Sequence, residues 1–349
     1  MIKLWITNSK GTFDITQLTP SITWSGDAKQ CARTLSAGMI SSHTDKNIPS
    51  VLCEMGNGIR LTEGKATLFE GYIFERQKST ESSIIDITCF DKGFYLNKNE
   101  ATYKFKNTTP ESIAKTVCRD FGIPIGGIEE TGVKISRTFI GVSLYKIIQT
   151  AYTLAAEKTG KQYMIRFVGP RLNVIKKGVT QETMIIEGGS NLMSASTSES
   201  ISNMINQVAI YDHNDKLVRT IKDADAIKSF GLMQNYLKQP KKTDVADKAK
   251  KLIEDNSINQ KIVINNLGNI ANITGGAVVL KEPHTGLHGL FYIDGDVHTW
   301  KLGQYYNKLT VNFKNIMDEQ EAGSLPNKSG ENTGMWDYLY EPGRGKNGE

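Results

Sequence analysis

The chain has few cysteines, no long apolar run and no strong excess of either charge, and each shortage removes a class of protein. Cys31, Cys53, Cys89 and Cys118 lie far apart with no CxxC spacing. That pattern points away from a disulfide framework and predicts reduced, mostly buried thiols in a protein assembled in a cytosol. The N-terminal stretch MIKLWITNSKG has only a five-residue apolar run after Lys3, too short for a signal peptide or a membrane span. The expectation is synthesis in the cytoplasm without export by a classical route. A formal charge of +5 from 42 basic and 37 acidic residues describes a mixed surface. A dedicated nucleic-acid binder would cluster its basic residues, so no specific nucleic-acid sequence is expected as partner.

Motifs for chemistry are missing as well. A P-loop needs GxxxxGK[ST] after a strand so that backbone amides cradle phosphates; Thr159-Gly160-Lys161-Gln162 lacks both the upstream glycine and the hydroxyl. No GxGxxG follows a strand, and there is no GxSxG elbow. His284 and His288 are four apart, but Pro283, Gly286 and Gly289 forbid the helix that would align them. Asp294, Asp296 and His298 alternate and would share one face of a strand, a pattern able to assemble metal ligands. The simpler reading makes His298 a hydrogen-bonded strand residue and places the aspartates in a turn around Asp294-Gly295. The adjacent pairs Glu129-Glu130 and Asp318-Glu319 have no apolar, aromatic setting to raise a carboxyl pKa for glycoside hydrolysis. The chain is therefore expected to be no enzyme, with no catalytic residues, metal or cofactor.

What is present is a strand-rich chain of 349 residues, 39% of them apolar, enough for two or three domains. Residues 1–101 alternate at period two: Ile2, Leu4 and Ile6 against Lys3, Trp5 and Thr7, and Cys31, Arg33 and Leu35 against Ala32 and Thr34. Strands every 8–12 residues with turns between favour a small antiparallel barrel or sandwich. From 102 to 183 the pattern becomes α/β. Thr109 caps a helix with Pro110 at its first position and Gly122 as its stop, and a second helix over 144–158 is capped by Ser143 and ended by Gly160. A hairpin turning at Gly169-Pro170 follows. Residues 184–220 and 258–316 read as a second β domain, interrupted at 221–257 by a short and an amphipathic helix.

The segment 317–349 carries seven acidic and three basic residues, which limits the apolar surface it can bury alone. Its cluster of Met335, Trp336, Tyr338, Leu339 and Tyr340 fits either a docking peptide or a terminus folded back on its own domain.

LFEGYIFERQ at 68–77, CFDKGFYLNKNEATYKF at 89–105, ESISNMINQVAIYDHND at 199–215 and FYIDGDVHTWKLGQYYNKLTVNF at 291–313 together resemble the baseplate hub proteins of contractile phage tails. The resemblance is to the hub of PBSX-type defective prophages and phage-tail-like bacteriocins, and it covers most of residues 1–316. It implies an α+β, mainly β chain: two tail-tube-like β-barrel domains, an α/β domain between them and a helical insertion in the second barrel. It further implies a homotrimeric ring in the baseplate of a virion or phage-tail-like particle, joining the sixfold tail tube protein to the threefold central spike protein. Baseplate wedge and adaptor proteins would be further partners, with the tape-measure protein as an additional contact. Structural or interface candidates are Gly71 as a kink or bulge in a long strand, Asp91, Tyr95 and Leu96 as a corner closing the first barrel, His298, Trp300 and Tyr305 around the second hairpin, and Trp336 in the tail. The competing expectations are a peptidoglycan-acting or glycan-binding tail protein, and a secretion-system spike, which should continue into β-helix repeats that this chain lacks.

Overall fold

The computed structural model describes residues 1–42, 45–179, 184–241 and 244–325. Seven strands open the chain: β1 (Ile2–Asn8), β2 (Gly11–Asp14), β3 (Ser21–Asp27), β4 (Thr34–Ile40), β5 (Gly58–Glu63), β6 (Ala66–Lys78) and β7 (Ile84–Asp91). Their period-two pattern buries Leu4, Ile6, Trp24, Leu35, Ile59, Leu61, Phe69 and Ile87 in one core and leaves the alternate residues wetter. The expected strand at 31–36 begins only at Thr34, yet Cys31 and Arg33 are buried too. A short helix α1 (Gly93–Lys98) then leaves the sheet, where the sequence pattern had only a corner.

The α/β unit contains β8 (Glu100–Thr108), α2 (Pro110–Asp120), β9 (Ile125–Ile128), β10 (Ile135–Ser143), α3 (Leu144–Thr159), β11 (Tyr163–Val168) and β12 (Arg171–Lys176). Local chemistry sets both longer helices. The Thr109 side chain accepts from Ser112 N, the Ser143 side chain accepts from Lys146 N, and Gly160 closes α3 at φ 68°.

The remaining elements are β13 (Met184–Glu187), β14 (Leu192–Ser200), β15 (Gln207–Tyr211), β16 (Leu217–Lys222), α4 (Ala224–Phe230), β17 (Gln234–Lys238), α5 (Ala246–Asp255), β18 (Asn259–Leu267), β19 (Ala277–Glu282), β20 (Leu287–Lys301) and β21 (Gln304–Asn312). Strands β15 and β16, expected within the second β domain, pair instead with β17 in a separate three-stranded sheet that packs Val208 and Ile210 on α5. Alternation alone identifies a buried face without naming the sheet that owns it.

The first and last β units are one sheet. The path runs β14-β18-β21-β20-β3-β4-β7-β6-β5-β1-β2, with β13 and β19 branching from β20. The junction is antiparallel pairing of Gly295–Lys301 on β20 with Asp27–Ser21 on β3. A register shift between Ile293 and Gly295 lets the 15-residue β20 serve β19 with one half and β3 with the other. Asp294-Gly295 is therefore a bulge inside a strand and not the expected turn. Among the described residues the pairing path ends openly at β2 and β14, so no closed barrel is present within the chain.

After β21 the chain crosses to the α/β unit. Met317 enters its core, Asp318 O accepts from Gln149 Nε2 at 2.6 Å, and Tyr145 OH donates to Asp318 Oδ2 at 2.7 Å. The amides of Gln320 and Ala322 donate to the Thr153 and Thr150 hydroxyls, and Ser324 bridges Thr138 on β10. This strap covers the polar side of α3, which explains why Gln149, Thr150 and Thr153 are buried. Lys248 and Lys251 of α5 pair with Glu321 and Glu319 from its other side. The cluster containing Trp336 lies outside the described residues.

Candidate functional site

The β3–β20 junction concentrates the buried charge of the molecule. Arg33 stands on the apolar side of the residues leading into β4, a position that leaves its side chain only 9% exposed. It meets a completely buried carboxylate, Asp296 of β20, through two bonds: Nη1 to Oδ1 at 2.9 Å, and Nη2 to Oδ2. Thr274 adds its amide at 2.7 Å and its hydroxyl at 2.5 Å to Asp296 Oδ1. The guanidinium also lies 4.0 Å from the centre of the Trp24 ring. Gly26 makes room for it, since a Cβ there would stand 2.2 Å from Arg33 Nη1. Burial alone would push the Asp296 carboxyl up, but the Arg33 charge and the His298 and Arg33 contacts outweigh it and hold the carboxyl well below the usual carboxylate range.

His298 is fully buried beside this pair. Its Nδ1 contacts Tyr305 OH at 2.8 Å and Asn307 Nδ2 at 2.9 Å. Asn307 Oδ1 already accepts from Asn269 N and Asn272 Nδ2, so Nδ2 is the donor and His298 Nδ1 the acceptor. The ring proton is thereby assigned to Nε2, which faces Asp296 Oδ2 at 3.1 Å with an angle short of a full hydrogen bond. Trp24 packs on the imidazole at 4.7 Å, and Trp300 stacks on Tyr305 at 4.5 Å across the β20–β21 hairpin. Trp300 also packs against the first core. Lys177, fully buried at the end of β12, binds Asp294 and the carbonyl of Ile316, fastening the α/β unit and the start of the strap to β20.

Asp91 closes the other end of Arg33. It accepts from the Arg33 amide at 3.2 Å and from Gly93 N at 2.8 Å, anchoring the start of α1. Burial pushes its carboxyl up to about 6, against those two donors and the nearby guanidinium. Because the folded value lies above the unfolded one, the native state holds the extra proton between about pH 4 and pH 6. The stability Asp91 contributes is present below that window and is lost as pH rises through about 6. Urea midpoints across the window should fall with rising pH in the parent chain, and Asp91→Asn should flatten that slope; an unchanged slope would assign it to other groups.

The other sequence candidates separate from this seam. Gly71 lies at neither register shift of β6, which fall between Thr67 and Phe69 against β5 and between Ile73 and Glu75 against β7; it instead allows close approach to Phe90. Tyr95 is 39% exposed and not anchored in a core, whereas Leu96 is fully buried in the α/β core and does not close the first sheet. Asp294, Asp296 and His298 do line up along β20, but their carboxylates are engaged by Lys177 and Arg33. Among the described residues no group of three or more His, Cys, Asp or Glu side chains is placed to hold a metal. Asp318 and Glu319 serve the strap. All four cysteines are buried and free. Sequence reasoning missed Arg33, Thr274, Asn307 and Lys177 as members of the seam. The signal for Arg33 was legible: a cation on the apolar face of an alternating run.

The polar groups of the seam bind one another and hold two β units in one sheet. The fold is similar to that of two phage tail proteins across most of its length. The 43 kDa tail protein of prophage MuSo2 from Shewanella oneidensis superposes with a TM-score of 0.67 at 13% identity, covering 89% of this chain and 98% of that one. A tail protein from Neisseria meningitidis MC58 gives 0.63 at 12%, covering 89% and 96%. The chain belongs to the YQBQ-like family, whose pattern matches residues 22–312. It is 24% identical to the phage-like element PBSX protein XkdQ of Bacillus subtilis over 333 residues, 91% of this chain and 99% of XkdQ. Among the described residues no helix is long and apolar enough to cross a membrane.

Proposed function

We propose that this chain is a non-enzymatic baseplate hub: three copies form a ring joining a sixfold tail tube to a threefold central spike, in a contractile phage tail or a phage-tail-like particle. The observation that carries this reading is the continuous path β14-β18-β21-β20-β3-β4-β7-β6, four strands from each β unit joined through the seam. Each chain thus contributes four strands from each of two β units, and three chains contribute six such sets, a count that suits a junction of threefold with sixfold symmetry.

The outward face of that path suits a lumen wall. Thr88, Ser36, Thr23 and Thr299 form one cross-strand row, and Thr34 and Ser25 continue into the next. These side chains are half-exposed and uncharged, a surface over which a passing polymer finds little to hold. The tube, spike, wedge, adaptor and tape-measure proteins are the partners this role requires.

Light scattering on the purified full chain, alone and with candidate tube and spike proteins, tests the reading. A species near three times 38.7 kDa is expected in at least one condition. A chain that stays monomeric with every such partner would overturn it.

A further inference from the structure

A cavity of about 1030 Å³ lies between the α/β unit and the second β unit. One wall is the outer face of the sheet β11-β12-β9. Tyr163, Ile165 and Phe167 of β11 enter the α/β core, which turns Met164 and Arg166 the other way. Arg166 stands opposite Asn173 of β12, and Met164 opposite Ile175. A second wall is the loop from Ala271 to Gly276, which joins β18 to β19. Gly275 lets this loop close on the sheet, since a Cβ there would stand 3.0 Å from Met164 Sδ and 3.2 Å from Ile175 Cδ1. The loop is firmly held: Thr274 bonds Asp296, Gly275 N donates to Ile293 O, and Gly275 O accepts from Gly178 N. The cavity is therefore preformed, at a junction between units where ligand sites commonly lie.

Its charged groups are uncommitted. Arg166 is half-buried, and its Nε is buried with no hydrogen-bond partner among the described residues. Asn173, its cross-strand neighbour, is already engaged: Oδ1 accepts from Gly127 N at 2.7 Å, and Nδ2 donates to Arg171 O at 2.9 Å. Lys176 and Glu129 line the cavity too, and among the described residues no ion pair joins Arg166, Lys176 or Glu129 to any partner. Burial first, and then the nearby Arg33 charge, lower the Arg166 pKa. A guanidinium held in this way costs stability unless a negative group meets it.

We propose that this cavity binds a carboxylate with an apolar body: Arg166 takes the carboxylate in its fork, and Ile128, Ile175 and Ile273 cover the rest. A planar guanidinium matches a carboxylate through two parallel N–H···O bonds. Lys176 adds a second positive charge against Glu129 alone, which favours an anion over a neutral ligand or a cation. The three isoleucines, each half-buried, offer apolar surface that a bare inorganic anion would leave wet. The space accommodates an acidic side chain of a partner protein or a small free acid, and both share this chemistry. The site goes beyond the hub reading and does not depend on ring formation.

The full chain is titrated calorimetrically with two carboxylate probes, a blocked leucyl-glutamyl-leucine peptide and isocaproate. The controls are the glutaminyl peptide and isocaproamide, which keep the shape and lose the charge. Saturable binding of the carboxylates is expected, at least about tenfold tighter than the amides, the scale of one charge-assisted hydrogen bond. Tighter binding of the peptide identifies a partner-protein side chain as the source, and tighter binding of isocaproate a free acid. Arg166→Met should abolish the preference for carboxylate. It should also raise the urea midpoint of the free chain, because it removes an unpaired charge and keeps most of the side-chain length. Equal binding of acid and amide, or no binding of any probe at millimolar concentration, overturns the proposal. A lowered midpoint in Arg166→Met overturns it as well, by showing that the guanidinium has its partner within the chain.

Discussion

Asp296→Ala is expected to lower the unfolding free energy by about 3–5 kcal/mol, the largest loss of any single substitution away from the apolar cores. The reason is what remains behind. The Arg33 side chain is 9% exposed and, among the described residues, its guanidinium pairs with the carboxylate of Asp296 alone, so alanine leaves a cation in a space too dry to solvate it. The Thr274 amide and hydroxyl lose their acceptor at the same time. Urea denaturation monitored by tryptophan fluorescence reads the change well, since Trp24 packs against both Arg33 and His298. The double variant Arg33→Met with Asp296→Leu should recover most of the loss, because an apolar pair of similar volume avoids the desolvation of both charges. If the double variant is no better than the single one, the seam acts through packing and not through charge. The pH dependence has a definite sign. The folded Asp296 carboxyl is held below its unfolded value near 3.8. Its stabilisation is therefore complete above that pH and fades only in stronger acid. The gap between parent and variant should be flat from about pH 5 upward, in contrast to the slope assigned to Asp91.

Gly71→Ala is the second large effect, with an expected loss of about 3 kcal/mol and a drop in soluble yield. Its backbone conformation is one that alanine adopts freely; the obstacle is space. A Cβ at 71 would lie 2.2 Å from the Phe90 carbonyl oxygen and 2.7 Å from Phe69 Cζ. The residue is paired on both sides, with Ile59 on β5 and Asp91 on β7, so neither neighbour can retreat without parting a strand pair. Gly188→Ala makes the matched control, because nothing stands within 4 Å of its Cβ position. That change should stay within about 0.5 kcal/mol. Equal midpoints for the two alanine variants would show that β6 and β7 adjust more freely than their pairing implies.

Much of this architecture was legible wherever the signal was local. Helices α2 and α3 were bounded by Thr109, Ser143 and Gly160, residues whose capping geometry is decided within a few positions of themselves. His298 was read as a hydrogen-bonded strand residue, and its Nδ1 is indeed doubly engaged. Helix α1 was not legible, because its six residues are too few to show a period and its start is anchored by Asp91 from the preceding strand. The ownership of β15 was hidden for a different reason. Val208 and Ile210 announce a buried face, but α5, which covers them, is encoded some forty residues later. The seam was hardest of all. Arg33 could be suspected from its apolar surroundings, while the identity of its partner depends on a contact 263 residues away.

That separation has a consequence for how the chain is made. At about 5–20 residues per second, the ribosome needs roughly 13–50 s after producing Arg33 to deliver Asp296. Until then β3 has a bare edge, Trp24 has no His298 to cover it, and a buried-type cation waits in water. Such an edge pairs readily with any passing strand, including the same segment on a neighbouring nascent chain. Completion of the first sheet is therefore a late, post-synthetic event, and slow β closure of this kind favours chaperone capture. The seam doubles as a checkpoint on synthesis: a chain cut short before β20 leaves the β3 edge of its N-terminal half unpaired and the Arg33 guanidinium without Asp296.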